Sequence, residues 1–262
     1  MSNSIRFLVL RMISTAGLFA IILRGASPAA PDNPSAGAKV SSFAPAEDLA
    51  NQLNSIIARV DESLAKPDDF DDALQSRIAK EADVAAVIAL GLGMSDQDHA
   101  LKRSASSILS AAQSLAKAAD FAAARTAIDS LKLAAGGKPS QASAAPELRW
   151  HPVAPLGLLM KEVPIINSNL KRAVQPERFK AQTKTSAGAA AALAVIAQEA
   201  ATDHDAIKKP ADIPNWEQYC FEMRDAAGGV NRAIHAGDAE GTRQAFARLS
   251  KSCEECHRVF RR

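Results

Sequence analysis

Beyond residue 46, apolar residues return every three or four positions, the repeat of a helix with one buried face. Leu49, Leu53, Ile56, Val60 and Leu64 make the first such stripe. Leu74, Ile78, Ala85, Ile88 and Leu92 make a second; Leu101, Ala105, Ile108, Ala112 and Leu115 a third; Ala124, Ile128 and Leu131 a fourth. After a break the pattern resumes with Leu156, Leu159, Met160, Val163, Asn167 and Leu170, with Pro164 inside the stripe. An Ala-rich segment over 185–204 follows. A further segment carries Trp216, Tyr219, Cys220, Met223, Ala227, Val230 and Ala233, with Asn215 as its candidate N-cap. Phe246, Leu249, Cys253, Cys256, His257 and Phe260 share the last stripe. The pattern predicts eight helices in two groups of four. Short connections within the groups favour antiparallel neighbours. The expected fold is all-α: two tandem antiparallel four-helix bundles, over 46–136 and 150–262, joined by a Gly/Pro/Ser-containing linker over 137–149.

Composition supports the helical reading. Hydrophobic residues make up 47% of the 262, but aromatics only 5%, and alanine dominates. Alanine is the best helix former and lets helices approach closely. The net charge is +2 with both signs mixed along the chain, so no basic footprint for nucleic acid is present.

The N-terminus reads as an export signal. Arg6 and Arg11 flank or interrupt an apolar run ending in "MISTAGLFAIIL", and the small residues of "GASPAA" follow. Residues 1–29 are therefore expected to be a signal peptide; an uncleaved N-terminal anchor is the alternative, and the only membrane contact expected. The Pro/Ala/Ser-rich residues 30–45 read as a spacer. Either way, the remaining chain is expected outside the cytoplasm, in the periplasm or an equivalent compartment.

The halves also resemble each other. "ADFAAARTAIDSL" (119–131) aligns with "GDAEGTRQAFARL" (237–249) without a gap, and "AVIA" occurs at 86–89 and at 194–197. This points to an internal duplication. On that alignment Cys253, Cys256 and His257 fall opposite Ala135, Lys138 and Pro139, so only the second half carries the chemistry described next.

The chain has three cysteines, and two of them lie in "SCEECH" near the C-terminus. On a helix, residues i, i+3 and i+4 share a face. Cys253, Cys256 and His257 have this spacing. Two adjacent thiols can add to the two vinyl groups of a haem while the imidazole reaches the iron, which is why C-x-x-C-H reads as c-type haem attachment. A dithiol redox pair is the first alternative, although such motifs usually open a helix after a strand. A zinc site is the second, and would need a further ligand such as Cys220 or His235. Cys220 itself, on an apolar face beside Met223, reads as a buried small hydrophobe.

With these residues in view, the second half resembles the cytochrome c′ family, the class II c-type cytochromes. "NWEQYCFEMRDAAGGVNRAIHAGD" (215–238) is similar to that family's third helix, and "RQAFARLSKSCEECHRVFRR" (243–262) to its haem-bearing fourth. Phe260 and Arg261 occupy the family's aromatic and arginine positions after the histidine. The resemblance implies a four-helix bundle holding one covalent haem c through Cys253 and Cys256, with His257 on the iron. It further implies that the residue across the iron comes from the bundle's first helix. A methionine there goes with electron transfer; a non-ligating apolar residue goes with binding of small gases such as NO or CO. Met160 is the expected sixth ligand, with Met223 and His151 as rivals. Two positions depart from the family pattern: Leu156 stands where many members carry an arginine, and Pro164 would free the carbonyl of Met160 from its helical hydrogen bond. The expected role is an electron carrier rather than an enzyme, with a periplasmic redox protein as partner. A homodimer through one bundle is compatible with the pattern.

Overall fold

In the computed structural model, residues 37–137 and 148–261 are described. The signal peptide or anchor expected over 1–29 and most of the linker expected over 137–149 lie outside the described residues. Among those described there are nine helices and no strand. None of these helices is long and apolar enough to cross a membrane.

The first group is α1 (Ala46–Ser63), α2 (Asp72–Met94), α3 (Ala105–Ala116) and α4 (Phe121–Ala135). The second is α5 (Leu156–Ala173), the single-turn α6 (Pro176–Phe179), α7 (Thr183–Ala200), α8 (Ile213–His235) and α9 (Ala239–Phe260). The helix starts have local causes. Asp71 accepts from the Leu74 amide, and Asp120 from the Ala123 amide, each at 2.8 Å. Each bond satisfies one of the amides a helix leaves open at its N-terminus. Asp238 does the same for the Gly241 amide at 2.8 Å. Asp120 and Asp238 are the aligned aspartates of the two halves, and the helices behind them begin at aligned positions, Phe121 and Ala239.

The start of α8 departs from expectation. Asn215 is not the N-cap; the helix begins two residues earlier, with Pro214 in its first turn. Proline is suited to that turn, because its φ is preset and the N–H it lacks would have no helical partner.

The helices of each group pack in chain order, and α1 also meets α4. Contacts cross between the groups as well: α1 packs on α7, α5 packs on α2, and α2 touches α7. One continuous apolar core therefore includes side chains from α1 through α9. The reason lies in the two inner helices. Every residue from Glu81 to Leu92 in α2, and from Ser186 to Ala200 in α7, is buried. A helix apolar around its whole circumference has no solvent face and must be enclosed on all sides. Gly91 lets the two approach closely, since an added Cβ would lie 2.8 Å from Val195 Cγ1.

The spacer expected over 30–45 joins the core from Val40 onward. Val40, Phe43 and Ala44 are buried, and Ser41 bonds Asp96 through its amide and its hydroxyl. Phe43 lies against α8, where the guanidinium of the fully buried Arg224 sits between the rings of Phe43 and Phe221, 4.9 and 4.8 Å from their centres. Arg232 donates to the Ser42 carbonyl. Buried Asp48 accepts from Asn231 and pairs with His235, at 2.8 and 2.7 Å. The entry to α1 is thus fastened along the length of α8.

Candidate functional site

The last turns of α9 bring Cys253, Cys256, His257 and Phe260 to one face, as the spacing requires. All four are half-buried. Cys253 packs against the main core, whereas Cys256 and Phe260 pack against a second, smaller apolar cluster. That cluster is built from Ala200 and Ala201 at the end of α7 and Trp216, Cys220 and Phe221 at the start of α8, with Leu156 and Ile207 against its side. Antiparallel packing places the first turn of α5, the last of α7, the first of α8 and the last of α9 at one end of the fold.

Aromatic contacts fix the relative position of α8 and α9 there. The Trp216 and Phe260 rings meet edge to face with centres 5.2 Å apart, and Tyr219 meets Phe260 at 6.1 Å. The Trp216 indole donates to the Ala200 carbonyl at 2.9 Å, so its polar end is satisfied inside the cluster.

The donor groups are chemically available. All three cysteines are free thiols. Burial, reinforced by Cys253 and Glu222, pushes the Cys256 thiol up to about 11; burial also raises the Cys253 thiol. Both are therefore protonated near neutrality. Burial, with the charge of Arg261 beside it, lowers the His257 imidazole below its usual value and favours the neutral ring that a metal requires.

The other four histidines are engaged elsewhere. His99 accepts from the Leu101 amide and pairs with Glu47, exposed His151 bonds the Arg149 carbonyl, His204 bonds Glu217, and His235 bonds Asp48. His257 makes no such bond. Among the described residues, no group of three or more His, Cys, Asp and Glu side chains is arranged to hold a metal ion unaided. His235 ends the helix on which Cys220 lies near the start, fifteen residues and thus about 22 Å away.

On α5, Leu156 is the residue that reaches the cluster. Met160 lies one turn further on, half-buried and outside both apolar clusters. The helix continues through Pro164, which is exposed. Met223 on α8 packs against the main core. Arg261 follows the end of α9 and is exposed.

The sequence pattern did not reveal two further features. Cys220 was legible as buried, but its position opposite Cys256 follows only from the α8–α9 register. Glu199, in an Ala-rich run, gave no sign of being 1% exposed at this end of the fold. Its Oε1 accepts from the Val153 amide at 2.8 Å, just ahead of α5, while its Oε2 is buried without a partner. Burial is the main cause that pushes its carboxyl up to about 7.

No family model, no curated protein and no solved structure matches this chain.

Proposed function

We propose that this chain is an exported c-type cytochrome that carries one covalent haem and transfers single electrons. One observation carries the reading: two free thiols and the one histidine ring with no other partner share a helical face beside an apolar, aromatic-lined cluster. The donor set fits a haem c. Cys253 and Cys256 would hold it by thioether bonds and His257 would ligate the iron, while Trp216, Phe260 and Leu156 supply apolar surroundings. When bound, the haem supplies the one-electron couple. The protein's own part is to fix His257 on a rigid helix, keep its ring neutral and limit water at the site.

In this reading α5, α7, α8 and α9 form a bundle of the cytochrome c′ type, and α1–α4 are a haem-less copy. The matched caps at Asp120 and Asp238 support the duplication. A second reading, binding of a small gas at five-coordinate iron, is favoured by the placement of Leu156 on the cluster and Met160 outside it.

The test is expression with a c-type haem maturation system. Haem that survives denaturing electrophoresis, and is lost in the Cys253→Ser/Cys256→Ser variant, supports the reading; a haem-free product overturns it. A low-spin spectrum converted to high-spin by Met160→Ala assigns electron transfer with His/Met ligation. A high-spin wild-type spectrum with ready CO uptake assigns the gas-binding role instead.

A further inference from the structure

Cys220 has no part in the proposed haem attachment, yet it sits where it can react. Helices α8 and α9 are antiparallel neighbours, and the Trp216–Phe260 contact sets their register. Four residues on from Trp216 is Cys220; four residues back from Phe260 is Cys256. Because the helices run in opposite directions, these two steps lead the same way and bring the two cysteines to the same level. Cys220 belongs to the apolar cluster against which Cys256 packs.

We propose that in the haem-free chain Cys220 and Cys256 form a disulfide that ties α8 to α9 and occupies the sulfur needed for one thioether bond. The competing Cys253–Cys256 link is disfavoured by geometry. Side chains three apart on a helix have Cβ atoms about 5–6 Å apart. A disulfide requires about 3.5–4.5 Å. Helix α9 continues unbroken through both residues, so that link would demand local unwinding. Facing positions on two packed helices can reach disulfide distance without it. Cys253, by the same register, lies opposite Met223 rather than Cys220.

The chemistry balances with a disulfide oxidant, here glutathione disulfide. The minor thiolate fraction of half-buried Cys256, which grows as pH is raised, attacks first, breaking the oxidant's S–S bond and releasing one glutathione thiol. Buried Cys220 then attacks the Cys256 sulfur, forming the protein S–S bond and releasing the second glutathione. The two protons leave on the two glutathione thiols, and the protein has lost two electrons. An excess of reduced glutathione reverses both steps. In an oxidising compartment this chain would therefore need a reductant before haem attachment.

The experiment uses the full haem-free chain, purified reduced, treated with glutathione disulfide and mapped by peptide mass spectrometry. The expected product joins the Cys220 peptide to the Cys253/Cys256 peptide and leaves one alkylatable thiol, Cys253. Cys253→Ser should keep the link, and Cys256→Ser should lose it. A Cys253–Cys256 link in the wild-type chain, or Cys220 still alkylatable after oxidation, overturns the proposal. No haem is involved, so either result leaves the haem reading to its own test.

Discussion

Substituting Glu199 by glutamine should make the protein more stable at alkaline pH than at acid pH, relative to the wild-type chain. The carboxyl is buried, which outweighs the Val153 and Ala154 amides that favour its charge, and Asp203 and Asp83 add to the pressure against it. Its folded-state value rises from 4.5 to about 7. Below the unfolded value both states hold the proton, and the wild-type chain has its full stability. Between the two values the unfolded chain gives up the proton while the native one keeps it, so stability falls as pH rises. Above the folded value both are ionised and the loss is complete, at about 3 kcal/mol. Glutamine retains an acceptor for the Val153 amide and does not ionise. Unfolding free energies from urea titrations of the two full-length chains should differ least below about pH 4 and diverge in favour of Glu199→Gln by up to about 3 kcal/mol around pH 8. A difference that does not change with pH, or a wild-type advantage that grows as pH rises, would refute the argument.

Gly228→Ala should destabilise despite improving helix propensity by about 1 kcal/mol. Its Cβ would lie 2.8 and 2.9 Å from the Phe43 Cβ and Cα, so buried backbone must move, at about 1–3 kcal/mol; thermal melts report the net loss. Asp48→Ala removes the acceptor shared by Asn231 and His235, and should cost about 1–3 kcal/mol in chemical denaturation. Hydrogen exchange should rise at the start of α1 in that variant. Asp120→Ala and Asp238→Ala each remove one cap bond and should each lower stability by about 1 kcal/mol, with near-additive effects in the double variant.

The stripes on α1, α3 and α4 were readable because those helices have a wet face. Leu49, Leu53, Ile56, Val60 and Leu64, for example, are all buried as their spacing implies. Periodicity is less informative for α2 and α7. It marks one face where the protein buries every face, and so concealed how the two groups share a core. The residues of C-x-x-C-H were readable because a helix fixes the spacing of its own side chains. Leu156, Cys220 and Glu199 were not, since their neighbours belong to other helices and only the packing register brings them together. Val40 and Phe43 were hidden differently: two apolar residues between prolines and small residues have no period, yet both are buried and Phe43 packs on the side of α8.

The exchange of partners, α1 onto α7 and α5 onto α2, bears on how the chain can be divided and how it matures. Severing the backbone between 137 and 148 should not release two modules, because each fragment keeps an enclosed helix, one side of which is covered by the other fragment. The C-terminal fragment alone would expose the side of α7 that α1 and α2 cover, and would be a poor vehicle for transplanting the cysteine-bearing helix. During synthesis α2 emerges long before α7, so its alanine-rich surface awaits a wall that has not yet been made. The second half supplies that wall, because α5 and α7 both pack on α2.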